Sequence, residues 1–330
     1  MTTIIGHQKQ LQWFATAIAK GRLSGSFLLI GPPGVGKATV AKLIAMSLLC
    51  ERMGDNPLEP CQRCESCAQV NADSHPDLVQ VRKPDDRAYI PLELIIGPPE
   101  SRMQEGFCRD IRLRPFRGTR KVAVLHDADF LNEEGANSLL KTLEEPPPDA
   151  VVFLIGTNEQ RQLPTIRSRC RIIRFLPPRG EDARAMMALR GIECDAAAAE
   201  EAIELCGGDC EAAASLLSGE ANAFRDAFAR QLASRPMPVV ELAKTVTGYV
   251  EEAGKDAPQR RDRLRDVFSI AAATFREELR LHSDAPERVE AAAYRIDRTI
   301  DAIVQVQRNA NQATLIESWS ADVARGHEVS

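Results

Sequence analysis

The stretch Phe27 to Cys50 constrains the fold more than any other part of the chain. It opens with Phe27-Leu28-Leu29-Ile30, a short apolar run that suits a buried strand. Gly31-Pro32-Pro33-Gly34-Val35-Gly36-Lys37 follows, and Val40, Leu43, Ile44 and Leu48 then recur at helical spacing through Ala38 to Cys50. A strand, a glycine loop, a lysine and a helix, in that order, build a phosphate cradle. The glycines let backbone N–H groups turn inward, the helix N-terminus adds partial positive charge, and the lysine reaches the outer phosphates. Ala38 breaks the pattern, because a Ser or Thr is wanted directly after the lysine to hold Mg²⁺. Thr39 lies about 100° further round the helix and does not replace that hydroxyl unless the loop shifts.

The remaining first half alternates strand and helix signals. Helical patterns cover Gln8 to Lys20, Arg102 to Leu113 and Asn132 to Leu143, the last ended by Pro146-Pro147-Pro148. Further strands are expected at Asp77 to Val81, Lys121 to Leu125, Val151 to Ile155 and Arg171 to Phe175, with a short turn or helix from Leu163 to Cys170. Arg82 to Pro99 is too rich in charge and proline to read. Such alternation predicts an α/β core with a parallel sheet covered on both faces. Pro177-Pro178-Arg179-Gly180 marks a boundary. Beyond it strand signals nearly vanish, and alanine-rich helices run from Glu181 to Leu217 with a break at Gly207-Gly208. More amphipathic helices follow from Asn222, with a break at Arg235-Pro236-Met237-Pro238.

At 330 residues there is room for two or three domains. A formal charge of -5 argues against a free-standing nucleic-acid binder, though not against one local basic face. The N-terminus lacks the layout of a secretion signal, and no apolar run is long enough to span a bilayer, so a cytoplasmic location without membrane contact is expected. Of nine cysteines, Cys61, Cys64 and Cys67 form a tight cluster with Cys50 upstream. Without an export signal this reads as a metal site and not as a disulfide framework. Four thiolates suit a closed structural zinc site. His75 is an alternative fourth ligand, and an iron–sulfur cluster is disfavoured by the lack of a following Cys-Pro.

Two further constellations carry chemistry. His126 and Asp127 close the third strand of the set, where nucleotide hydrolases place an Asp for Mg²⁺ and a Glu for the attacking water. A polar strand end without a catalytic role explains them equally well. Arg167-Ser168-Arg169-Cys170-Arg171 puts three arginines around a strand start. They read either as a solvated basic turn or as a source of an arginine reaching a neighbour's phosphate.

Asn137-Ser-Leu-Leu-Lys141-Thr-Leu-Glu-Glu145-Pro146-Pro147, Phe153-Leu-Ile-Gly-Thr157 and Ser168-Arg169-Cys170 together resemble the bacterial DNA polymerase III clamp-loader subunits of the AAA+ class. Ile4-Ile5-Gly6-His7-Gln8, the glycine loop and the four-cysteine module fit the same order, and the resemblance is specific over roughly residues 1–178. Asn309 to Trp319 adds a weaker likeness near the end of the chain. The resemblance implies an AAA+ core over 1–178 with a zinc module at about 50–75, a helical lid over 179–219 and an all-α collar over 220–330. It implies structural Zn²⁺ on Cys50, Cys61, Cys64 and Cys67, and a nucleotide site at Gly31, Gly34, Gly36, Lys37, Ala38, Thr39, Asp127 and Thr157.

Members of that family are either ATP-hydrolysing motors of the gamma/tau type or degenerate delta-prime-type stators. Aligned without gaps from Asn137, the motor's Asp-Glu pair falls on His126 and Asp127. The hydroxyl at Ala38 is absent, and the lid arginine expected after Gly207-Gly208 is replaced by Asp209-Cys210-Glu211-Ala212. These losses point to the stator type and speak against ATP and Mg²⁺ as working cofactors of this chain. Arg169, intact, would then complete a neighbour's ATP site in trans. The implied partners are gamma/tau and delta subunits in a heteropentamer, with the sliding clamp and primed DNA reached through the complex. No intrinsic ATPase is expected, only membership of the DNA-directed DNA polymerase III holoenzyme. The competing expectations are an active motor using Thr39 and Asp127, and a zinc-bearing DNA-binding regulator, which the acidic balance disfavours.

Overall fold

A computed structural model describes residues 4–52, 56–218, 222–254, 257–282 and 284–325. The chain divides into two compact units, Met1–Leu176 and Pro177–Ser330.

The first unit carries α1 (Gln8–Ala19), β1 (Gly25–Ile30), α2 (Lys37–Leu49), α3 (Glu65–Asn71), β2 (Leu78–Val81), α4 (Leu92–Ile96), α5 (Phe107–Asp110), β3 (Lys121–Leu125), α6 (Glu133–Glu144), β4 (Ala150–Gly156), α7 (Pro164–Arg167) and β5 (Arg171–Arg174). The five strands form one parallel sheet in the order β2-β3-β4-β1-β5. Every residue of β3 and β4 is buried, as a sheet covered on both faces requires. The period-two alternation sorts side chains between the faces. Phe27 and its register partner Phe153 meet Phe14 of α1 on one side, with ring centroids 5.6–6.0 Å apart. Leu28, Leu154 and Ala123 pack on the other side with Leu139 and Leu143 of α6. The apolar stripe of α6 therefore closes one face, while α1 closes part of the other.

Arg102 to Leu113 is not the helix that its periodicity predicts. Only Phe107–Asp110 is helical, and the preceding segment turns at Met103 (φ 61) and Gly106 (φ 88). Gly106 lies so close to Gly97 that a Cβ on it would come within 2.7 Å of the Gly97 nitrogen. Downstream, the fully buried Asp77 pulls the chain out of helix: its two carboxylate oxygens accept the Phe116 and Arg117 amides at 2.6 and 2.8 Å. The unread stretch before it holds α4, whose Ile95 and Ile96 are buried in the core.

The second unit is all helical: α8 (Gly180–Ala188), α9 (Ala196–Leu205), α10 (Cys210–Leu217), α11 (Asn222–Ala233), α12 (Val239–Glu251), α13 (Ala257–Leu281), α14 (Pro286–Gln307) and α15 (Gln312–Arg325). The breaks expected at Gly207-Gly208 and at Arg235 to Pro238 fall between α9 and α10 and between α11 and α12. Trp319 sits at the centre, 4.9 Å from the Phe268 ring, and its indole N–H donates to Thr299 Oγ1 at 3.0 Å. Arg295 is fully buried, donating to the Val323 carbonyl at 3.0 Å and to Glu278 at 3.3 Å. Arg276 of α13 donates to the Leu205 carbonyl at 2.6 Å, which ties the end of α9 to the long helix.

Asp266, also on α13, accepts a hydrogen bond from Ser215 of α10 at 3.0 Å, and burial pushes its pKa up to about 6 despite Ser215 and Arg265. An unfolded Asp titrates near 3.9, so the folded state holds the extra proton between about pH 4 and 6 and stability falls as pH rises through that window. Asp266→Asn keeps the acceptor and removes the charge. It is expected to raise stability by about 1–3 kcal/mol at pH 7.5 and to change little at pH 4. Thermal melts at the two pH values check this, and equal shifts at both would exclude the charge as the cause.

Candidate functional site

The glycine loop leaves β1 at the carboxyl edge of the sheet, where α/β folds bind ligands. Gly34 (φ 72) and Gly36 (φ 101) take left-handed backbone conformations that side chains rarely adopt, and Gly36 opens α2. At Gly31 a Cβ would collide with the Phe175 carbonyl oxygen, so the loop packs directly on the chain after β5. His7 fastens it from another side, with Nε2 2.8 Å from the Val35 carbonyl oxygen and its ring edge-on to Phe175. Lys37 is buried, and its Nζ donates to the Gly31 and Pro32 carbonyls at 2.6 Å each. Ala38 is exposed and Thr39 half-buried at the start of α2. The fold of a phosphate cradle is present, but no hydroxyl follows its lysine.

Groups at the end of β3 are directed to the edge strand. His126 Nε2 lies 3.1 Å from Gln80 Oε1 on β2, and burial, helped by Arg82, lowers its pKa to about 4, so the imidazole is neutral at physiological pH. Asp127 is exposed, with its carboxylate 3.4 Å from the Lys83 amide just beyond β2. β2 and β1 are separated by β3 and β4. Thr157, at the end of β4, donates its amide to Asp129 Oδ2 at 2.7 Å, and Gln162 Nε2 meets Asp129 Oδ1 at 2.5 Å. Asp129 therefore shapes the β4 end, a role that sequence reading assigned to no residue. Its partners lie 28 and 33 positions away, and no local pattern announces them.

The three arginines around β5 have different fates. Arg167 pairs with Glu159 at 3.5 Å, and the Arg171 guanidinium lies 5.2 Å from the Trp13 ring centroid. Arg169 follows α7 between the buried residues Ile166 and Cys170. Its Nε donates to Glu144 Oε2 at 3.0 Å, and its Nη1 to the Thr165 carbonyl at 3.2 Å and to Ser168 Oγ at 3.3 Å.

The sulfurs of Cys50, Cys61, Cys64 and Cys67 lie within 4.8 Å of one another. The end of α2 supplies Cys50, and the N-cap and first turn of α3 supply Cys64 and Cys67. Around one ion with metal–sulfur distances of about 2.3 Å, tetrahedral sulfurs stand about 3.8 Å apart, and Cys50 and Cys64 are 4.0 Å apart. Backbone N–H groups, that of Arg63 first, pull the Cys61 thiol down to about 6, while burial pushes Cys50 and Cys67 up. A cation would offset that burial, so the donor set fits a metal ion. His75 lies outside this group, its Nδ1 accepting the Asp77 amide at 3.0 Å. Arg117 ties the module to the Phe116 loop, bonding Glu65 of α3 at 2.6 Å and Gln69 at 3.2 Å.

A family model described as DNA polymerase III, delta subunit, matches residues 6–179. The chain belongs to this family. Among its relatives, the DNA polymerase III subunit delta' of Bacillus subtilis (strain 168) is 35% identical over 161 residues, 49% of this chain and 45% of that protein. Subunit delta' of Pseudomonas aeruginosa is 36% identical over 184 residues, covering 56% of this chain and 52% of that protein. Subunit tau of Escherichia coli (strain K12) is 33% identical over 172 residues, covering 51% of this chain and 24% of tau. The match thus spans about half the length of the delta' relatives. No helix among the described residues is long and apolar enough to cross a membrane.

Proposed function

We propose that this chain is a delta-prime-type subunit of the bacterial DNA polymerase III clamp loader, a stator that does not hydrolyse ATP itself. The observation that carries this reading is the state of the phosphate site. No hydroxyl follows Lys37, and the end of β3 offers a neutral His126 bonded to Gln80 where a motor needs a metal-binding carboxylate. Mg²⁺ tolerates lost ligands badly because it demands near-octahedral oxygen coordination. The start of α10 is capped by Asp209 and bears Glu211, and no arginine stands in Asp209-Cys210-Glu211-Ala212, where the family resemblance expects the lid arginine. Family membership and the delta' relatives support the same reading.

In this role Arg169 completes the ATP site of an adjacent gamma/tau motor subunit, and a delta subunit completes the assembly. The loader places the sliding clamp on primed DNA during replication, in the cytoplasm. Residues 179–219 act as a lid and 220–330 as the collar through which subunits assemble. Zn²⁺ held by Cys50, Cys61, Cys64 and Cys67 supports the fold, since four protein ligands leave no open position for chemistry. The glycine loop, with Gly31, Gly34, Gly36, Lys37, Ala38 and Thr39, persists as scaffold.

The tau relative keeps a motor reading in play, and turnover separates the two. The isolated protein is expected to show no Mg²⁺-dependent ATPase above background, and Lys37→Ala to change nothing. Robust turnover abolished by Lys37→Ala would overturn the stator assignment.

A further inference from the structure

The environment of Arg169 is more specific than a surface arginine needs. Its backbone is pinned by the buried neighbours Ile166 and Cys170, and its amide donates to the Ile166 carbonyl at 3.1 Å. The guanidinium is then held at two of its three nitrogens. Nε is taken by Glu144, the last residue of α6, and Nη1 by the Thr165 carbonyl and Ser168 Oγ. Nη2 makes no hydrogen bond to any described residue. A planar guanidinium fixed at Nε and Nη1 has its orientation set, and the remaining nitrogen is available to an outside acceptor.

We propose that Glu144 is a positioning residue for Arg169: it fixes the plane of the guanidinium so that Nη2 is presented, already oriented, to an anionic oxygen of a neighbouring subunit's nucleotide. This rests on the trans role assigned to Arg169 above. Orientation set in advance lowers the reorganisation needed when charge develops on the transferring phosphate. Thr165 and Ser168 are sequence neighbours of Arg169 and move with it, whereas Glu144 belongs to α6 and refers the side chain to the sheet-covering core. The pair is partly exposed, with side-chain accessibilities of 30% for Arg169 and 60% for Glu144, so its contribution is modest and graded.

The test uses loaders reconstituted with gamma/tau and delta subunits and carrying Glu144→Ala, Glu144→Gln, Arg169→Ala or the double alanine change. Clamp- and DNA-stimulated single-turnover hydrolysis at the one site that Arg169 would complete is read as a rate and as the ATP concentration that half-saturates it. Glu144→Ala is expected to lower that single-site rate about two- to fivefold with the half-saturating ATP concentration unchanged, the range that a partly exposed ion pair supports. Glu144→Gln, which keeps an oxygen acceptor for Nε, is expected to recover most of the loss. In the Arg169→Ala background Glu144→Ala should add nothing, because a residue acting through its partner is non-additive with it. An equal loss in both backgrounds, or no loss from Glu144→Ala while Arg169→Ala is defective, overturns the positioning role and leaves the trans role standing. An unchanged rate for Arg169→Ala overturns both.

Discussion

A loader carrying Arg169→Ala in this chain is expected to assemble normally and, on the proposed trans role, to lose turnover at one ATP site. Arginine fingers contribute about 10³–10⁵ in kcat where they have been removed, because the guanidinium meets charge that develops on the phosphoryl oxygens. In the proposed assembly the other motor sites would keep their own arginines, so steady-state ATPase is expected to fall by the share of one site, and single-turnover hydrolysis or clamp loading is the sharper readout. Arg169→Lys is expected to rescue little, since an ammonium offers one nitrogen and cannot donate to Glu144 while a second, separately held nitrogen reaches outward. Assembly by gel filtration serves as the control. Hydrolysis indistinguishable from wild type at every site would falsify the trans role. Arg167 and Arg171 make useful comparisons, because each is already engaged within the chain, with Glu159 and with Trp13.

The second large effect is expected on removing the metal. Purified protein should carry about one zinc per chain, as a closed four-cysteine site implies. Structural zinc contributes about 10–16 kcal/mol of apparent binding energy in small zinc domains, so its loss should unfold the module around α3 while the sheet survives. The consequence reaches further than the cysteines. Glu65 and Gln69 on α3 hold Arg117, and the loop it anchors exposes Arg112, Arg114 and Phe116. A strong chelator, or Cys67→Ser, is therefore expected to open new tryptic cuts at Arg112 and Arg117. Cys170→Ser, which alters a buried cysteine outside the cluster, should not open them. Protein isolated without zinc, or a tryptic pattern blind to the chelator, would remove the structural role.

Much of the core was legible because its signals are local. β1, β3 and β4 are continuous apolar runs bounded by glycine, proline or charge, and the structure places them within about a residue or two of their expected ends. The failure at Arg102 to Leu113 has a definite cause. Periodicity there reported a helix, but Met103 and Gly106 take positive φ inside the run and delay the helix to Phe107. The short α4 is not legible in sequence, since five residues between prolines carry almost no periodic signal.

By itself the sequence determined the phosphate-loop fold, the missing hydroxyl at Ala38, the substitution at His126, and the intact Ser168-Arg169-Cys170. Each is a matter of residue identity at a fixed spacing from a motif. It also favoured Cys50 over His75 as the fourth ligand of the cluster. Tertiary structure brings the end of α2 beside α3, so that the Cys50 sulfur joins the other three, while His75 Nδ1 accepts the Asp77 amide. It likewise decided that Glu144 meets Arg169 and that Asp129 meets Thr157. The reason is physical: helix and strand periodicity is written in neighbours a few residues apart, whereas a carboxylate's partner depends on which elements the folded core brings within about 3 Å of it.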